Sequence, residues 1–225
     1  MPGPNWSDDA PGDGPLIAAN CSAVAAAIHA SAPQRLMPTP ATVTAWHSQL
    51  YAGCQVPSAV YVGHLRGDVS QPDLVDYEVG IGPVLADGYA ERVGVWSTDV
   101  AAAVTQFFSS LHQALGALDA LFAPGVRPVT VDDLNEVIAL TAIVHGEWVR
   151  IHPFVNGNGR TARLWVVLIA RRYELPVFVS LKPRPADVAY ARAAKRSMGR
   201  PPNFVGDHTE ATAVFGHLLS LLLMP

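Results

Sequence analysis

HPFVNGNGRTAR, residues 152–163, sets a histidine, a glycine-rich turn and two arginines within one short segment. That combination suits phosphate chemistry. Gly157 and Gly159 permit a tight turn at positive φ, through which the backbone N–H groups of Gly157, Asn158 and Gly159 can converge on an anion. A helix starting near Arg160 adds its own unpaired donors. Arg160 and Arg163 stand three apart, so on a helix they share a face and both can reach a polyphosphate. His152 precedes the turn, where an imidazole with an ordinary pKa of about 6.5 can take a proton from an attacking hydroxyl.

The flanks of this segment read as helices. Before it, Leu134, Val137, Ile138, Thr141, Ala142, His145, Trp148 and Val149 recur at helical spacing after a Thr130–Asp133 capping box, which predicts the central buried helix. After it, Leu164 to Ile169 is almost wholly apolar, a helix buried on nearly all sides and ended by Glu174-Leu175-Pro176. Further upstream, Leu16 to Ala30 reads as a helix ended by Pro33. Thr39-Pro40 starts another that runs to Tyr51, and Ser97 to Asp99 open a long one through about Leu121. Downstream, Pro185 opens a helix to Met198, and Asp207 or Thr209 caps a last one to Leu223.

Strands are expected only between Ala59 and Trp96, where Tyr77–Ile81 and Glu91–Trp96 flank the turn-rich Gly82-Pro83 and Asp87-Gly88 as an irregular hairpin. Residues 1–15, rich in Pro, Gly and Asp, read as a disordered leader. Residues 16–225 read as one domain, with N-terminal helices over 16–58 and a core over 59–225 that carries the hairpin at about 76–97. The fold class is mainly α, a helical bundle with one β-hairpin.

The 152–163 segment resembles the signature of Fic-domain proteins, HPF-x-[Asp/Glu]-GNGR-xx-R, at every fixed position but one. The exception is Asn156, where the family has an acid. The likeness extends more weakly from about Val60 to about Phe215. It implies a Fic-type helical bundle whose hairpin is a flap over the active site, registering the target's backbone by strand pairing. It also implies transfer of a nucleoside monophosphate, most often AMP from ATP, to a Tyr, Thr or Ser hydroxyl of a target protein.

In that reading His152 is the base, and the amides from Gly157 to Arg160 stabilise the phosphoryl oxygens. The Asn158 side chain contacts the α-phosphate, Arg160 and Arg163 hold the β and γ phosphates, and magnesium bridges α and β oxygens. Asn156 offers magnesium a neutral oxygen in place of a carboxylate, a weaker ligand. Three readings follow: weaker magnesium binding, another phosphate-containing donor, or nucleotide and peptide binding without turnover. Gly159 stands where phosphotransferase relatives carry lysine. None of the six glutamates is followed by Gly or Asn, so the family's inhibitory helix motif is not expected. A separate antitoxin chain, or no such restraint, stays open.

Composition narrows the partners. A net charge of -4 and a pI near 6.0 give no electrostatic footprint for nucleic acid or an anionic membrane. Cys21 and Cys54 read as free thiols. No secretory signal opens the chain, and the apolar stretch Leu16–Ile28 falls short of the roughly 20 residues of a span, so a cytoplasmic protein is expected. Phe154 and His145 read as buried structural residues. Tyr173 and Tyr190 read as core in preference to contacts with a nucleotide base, and the role of Arg66 stays open.

Overall fold

The segment quoted above joins two helices that form the middle of the molecule, α4 (Val131–Ile151) and α5 (Asn158–Arg172). This is seen in a computed structural model that describes residues 4–6, 9–81 and 91–223. α4 begins at a reciprocal cap: the Thr130 hydroxyl accepts the Asp133 N–H at 3.1 Å, and the Asp133 carboxylate accepts the Thr130 N–H at 3.3 Å. α5 is buried on nearly every face from Thr161 to Ala170, as its apolar run predicts. Trp148 of α4 and Trp165 of α5 meet edge-on at 5.8 Å, and Phe107 sits 5.1 and 5.5 Å from the two indoles. Each such ring, fully buried, contributes on the order of 2–3 kcal/mol.

Around this pair lie five more helices: α1 (Gly14–Ser31), α2 (Pro40–Leu50), α3 (Val100–Leu121), α6 (Val188–Met198) and α7 (Thr209–Leu223). α1 and α2 cover α5, α3 packs on α4, and α6 and α7 close the far side of α4. One antiparallel hairpin completes the described residues, β1 (Val79–Ile81) with β2 (Glu91–Val93), pairing Gly80 with Arg92. Its turn, Gly82-Pro83 and Asp87-Gly88 included, lies outside the described residues.

Three expectations change. The strands are shorter than Tyr77–Ile81 and Glu91–Trp96 because the carbonyls of Tyr77 and Val95 are taken by the Arg66 guanidinium rather than by the ladder, and Gly94 turns out of it at φ 80. α6 begins at Val188, not Pro185, because the Asp187 carboxylate caps it by accepting the Ala189 N–H at 2.7 Å.

The described part of the leader, residues 4–6 and 9–15, departs furthest from expectation. Trp6 is only 3% exposed and packs 4.6 Å from the Tyr51 ring. Its backbone N–H donates to the Tyr77 hydroxyl at 3.2 Å, and the Pro4 carbonyl accepts the Tyr61 hydroxyl at 2.7 Å. One tryptophan outweighs the disorder-promoting composition around it, because burying an indole offsets the ordering entropy of several residues.

Gly14–Gln34, 21 residues with a mean hydropathy of 1.3, is long and apolar enough to cross a bilayer by length and composition, longer than the Leu16–Ile28 stretch suggested. In the fold its buried residues, Ile17, Cys21, Val24 and Ile28, form a stripe at helical spacing. Both cysteines are free thiols.

Candidate active site

α4 ends at Ile151, and His152 follows it in the left-handed conformation, φ 54 and ψ 54. Holding an L side chain there costs on the order of 1 kcal/mol, so the surroundings must impose it. Arg66 does so. Its Nε donates to the His152 carbonyl at 2.8 Å, its Nη2 to the Ile151 carbonyl at 3.2 Å, and its backbone N–H to the Pro153 carbonyl at 2.7 Å. The same guanidinium donates to the Tyr77 and Val95 carbonyls and to Glu78 Oε2, at 3.1, 3.0 and 3.3 Å. All its N–H groups are thereby engaged, and the hairpin's base is tied to the end of α4. Gly94 makes the approach possible: a Cβ there would lie 2.3 Å from the Cβ of His152.

The half-buried His152 places Nδ1 3.2 Å from the Val149 carbonyl. A carbonyl only accepts, so Nδ1 carries the ring proton and Nε2 keeps its lone pair. Burial, with the Arg66 cation nearby, pushes the imidazole pKa down to about 4. At neutral pH the ring is uncharged and able to take a proton.

The loop from 153 to 157 is braced from beneath. Phe154 is fully buried and stacks 3.9 Å from the His47 ring. His47 accepts the Gly63 N–H on Nδ1 at 3.0 Å, so its Nε2 carries the proton and donates to the Asn156 carbonyl at 3.0 Å. Its pKa is pushed down to about 4 by burial, which keeps this tautomer. Gly157, at φ 79, fits under Tyr51 and His47, where a Cβ would come within 2.8 Å of the Tyr51 ring. Nothing in the motif pointed to His47. The spacing of Val43, Trp46, His47 and Leu50 along α2 is the signal that could have placed it on a buried face.

The phosphate-binding residues divide. The Asn158 side chain faces its own loop: Oδ1 accepts the Phe154 N–H at 2.9 Å and Nδ2 donates to the Phe154 carbonyl at 2.8 Å. It is a clamp, not the α-phosphate contact expected of it. Of the four amides from Gly157 to Arg160, that of Gly157 donates to Asn156 Oδ1 at 2.6 Å and that of Arg160 to the Gly157 carbonyl at 2.9 Å. Among the described residues, the amides of Asn158 and Gly159 have no acceptor, which leaves two donors at the mouth of α5 for an anion.

Arg160 and Arg163 do not converge as their spacing suggested. Arg160 turns to Tyr51, donating to its hydroxyl and lying 5.5 Å over its ring, and pairs with Asp9. Arg163, 7% exposed, donates from Nε to the Leu181 carbonyl at 3.0 Å. Its Nη1 lies beside Gly159, 3.4 Å from where a Cβ would be. The donors that meet at the helix mouth are thus two amides and Arg163.

Tyr190 is buried, as expected, and its hydroxyl meets His145 Nε2 at 2.9 Å. His145 is buried with its Nδ1 unpartnered among the described residues. Tyr173 belongs to the core elsewhere, donating to Asp119 at 3.1 Å.

The residues present do not fit a magnesium held by the protein. Asn156 Oδ1 already accepts the Gly157 amide, and its Nδ2 is buried without a partner. Among the described residues no group of three or more His, Cys, Asp or Glu could hold a metal ion.

The Fic/DOC family matches residues 38–170, more than half of the chain, including all of α4, the loop after it and α5 up to residue 170. The chain belongs to that family. Protein adenylyltransferase fic-1 of Caenorhabditis elegans is 38% identical over 91 residues, which are 36% of this chain and 18% of that protein. Protein adenylyltransferase Fic of Drosophila melanogaster is 38% identical over 73 residues, 32% of this chain and 15% of that protein. The matches span under a fifth of those relatives' length.

Solved structures share the fold, two of them as follows. A Fic domain containing signaling protein from Bacteroides thetaiotaomicron superposes with a TM-score of 0.59 at 20% identity, covering 91% of this chain and 65% of that one. The BepC effector of Bartonella tribocorum, solved with bound AMPPNP, gives 0.53 at 14%, covering 91% and 86%.

Proposed function

We propose that the protein transfers a nucleoside monophosphate, AMP from ATP in the first instance, to a Tyr, Thr or Ser hydroxyl of a target protein. The observation that carries this reading is an imidazole fixed with its lone pair on Nε2, one short loop away from two acceptor-free amides and Arg163. The target hydroxyl gives its proton to His152 Nε2 as its oxygen bonds to the α-phosphorus. The bond from that phosphorus to the bridging oxygen breaks, and pyrophosphate leaves with the electron pair. Charge gathering on the phosphoryl oxygens meets the Asn158 and Gly159 amides, each such preorganised donor being worth roughly 3–4 kcal/mol. Arg163 lies where it can neutralise the leaving phosphates. The hairpin's strand edge supports a reading in which the target's backbone lines up along it. Asn156 offers magnesium no carboxylate, so the cation dependence we propose is that of the nucleotide itself, which carries the ion on its own phosphates.

Incubation with labelled ATP and candidate target proteins tests this. The wild-type protein is expected to label a partner or itself, and His152→Ala to lose labelling by at least about a hundredfold, the usual yield of a positioned base. Labelling at the wild-type rate in His152→Ala overturns the mechanism. A second reading, nucleotide binding without turnover, is favoured by two observations: Asn156 is not an acid, and Asp9 occupies Arg160. Nucleotide binding by calorimetry, with no transfer from any nucleotide in magnesium or manganese, would establish that reading instead.

A further inference from the structure

The loop between α5 and α6 returns to the start of α5 and brings a lysine from outside the motif with it. Phe178 and Val179, both buried in the core, anchor its first half. Arg163 Nε donates to the Leu181 carbonyl at 3.0 Å, and the Ser180 hydroxyl donates to the Pro183 carbonyl at 2.9 Å, closing the turn that carries Lys182. Lys182 Nζ lies 3.6 Å from Asp9 Oδ2, and Arg160 Nη2 donates to that same oxygen. Two cations from separate parts of the chain therefore meet at a single anionic oxygen. The side chains of Arg160, Lys182 and Asp9 are 18%, 26% and 21% exposed, so the charges are shielded enough to attract one another and open enough to exchange one anion for another. On α1, burial pushes the Cys21 thiol up while the charges of Arg160, Arg163 and Lys182 draw it down. One sulfur thus feels all three cations, Arg163 at the helix mouth included.

We infer that Lys182 and Arg160 form a clamp for the terminal phosphates of the donor nucleotide, at the place that Asp9 Oδ2 takes in this structure. The inference rests on the transfer reading given above and adds to it a binding residue that the motif does not contain. Carboxylate and phosphate oxygens are alike as charged acceptors, so a position built to hold one can hold the other. The guanidinium supplies a planar fork and the ammonium a compact point charge, which lets the pair engage two oxygens of one polyphosphate. The hydrogen bond from Arg163 to Leu181 gives the motif's last arginine a further part, since it holds the turn that presents Lys182. The Asn158 and Gly159 amides keep the α-phosphorus end, and the clamp takes the end that leaves.

Calorimetry on the full chain with ATP, AMP and inorganic pyrophosphate, each in magnesium, tests the clamp. Lys182→Gln is expected to weaken ATP and pyrophosphate about tenfold, the scale of one charge-assisted contact. Affinity for AMP, which lacks the terminal phosphates, should not change, and its retention also shows that the variant is folded. Lys182→Arg should keep most of the ATP affinity because it keeps the charge. In an Asp9→Asn background the loss caused by Lys182→Gln should grow, because Lys182 then has no carboxylate to give up when the phosphate arrives. A loss that disappears in that background overturns the inference, since Lys182 would serve only to hold Asp9. Unchanged ATP affinity in Lys182→Gln overturns it too, as does an equal loss for AMP. None of these readouts needs turnover. ATP binding that depends on Lys182, with no transfer to any protein, would overturn the transfer reading and leave the clamp standing. Transfer by a Lys182→Gln variant that binds ATP as the wild type does would overturn the clamp alone, and no binding of ATP or pyrophosphate would overturn both.

Discussion

Arg66 shows how much a single side chain can hold. With its side chain fully buried, it links the carbonyls of Ile151 and His152 to those of Tyr77 and Val95 and to Glu78. Removing it outright would leave Glu78 and several carbonyls without their donor, which costs about 3–5 kcal/mol for a buried charge pair. Arg66→Lys is the sharper experiment. It keeps the charge but loses the planar fork, so the fold should survive by circular dichroism while kcat falls at least about tenfold, because small displacements of a reacting group are costly. Nucleotide affinity should hold within about twofold, and a matching loss of affinity would show that Arg66 acts on binding instead of on His152. The motif alone did not reveal this residue, since its partners stand between 11 and 86 positions away in sequence and no local spacing encodes them.

The elements written in local signals were legible. The capping box at Thr130, the proline after Thr39 and the apolar run after Arg163 each fix a helix through contacts within one or two turns. The placement of Trp6, among the described residues before α1, was not legible, because it depends on one indole finding Tyr51 and Tyr61 across the chain. That segment also has a consequence for the site. Asp9 pairs with Arg160 and lies 3.6 Å from Lys182, so it occupies a guanidinium that the proposed transfer could use for a phosphate. A nucleotide drawing on Arg160 must displace this carboxylate. Asp9→Asn is therefore expected to tighten ATP binding about fivefold, the scale of one partly exposed ion pair. Unchanged affinity by calorimetry would show that Arg160 takes no part in holding the donor.

The molecule as a whole carries three histidines kept uncharged by burial: His47 and His152 with pKa values pushed down to about 4, and His145 to about 3. Each folded-state value lies below the unfolded one, so the unfolded chain binds more protons between them. The stability they contribute is complete above pH 6.5 and declines as the pH falls from 6.5 toward 4 and 3. At about 1.4 kcal/mol per pKa unit the combined loss, once all three rings are protonated, is on the order of 10 kcal/mol. Thermal midpoints measured between pH 8 and pH 4 should fall mainly in the lower half of that range, and His47→Gln should flatten the slope. A midpoint that holds level from pH 6.5 to pH 4.5 would contradict the neutral assignment.

The left-handed main chain at position 152 puts folding and chemistry in opposition. Glycine or asparagine would settle into that backbone at less cost than any imidazole-bearing residue. A library randomised at this codon should then give two different winners: those small residues when clones are ranked by heat resistance, and histidine when they are ranked by labelling of a partner. The gap between the two rankings would measure what the chain forgoes in robustness to keep its proton acceptor.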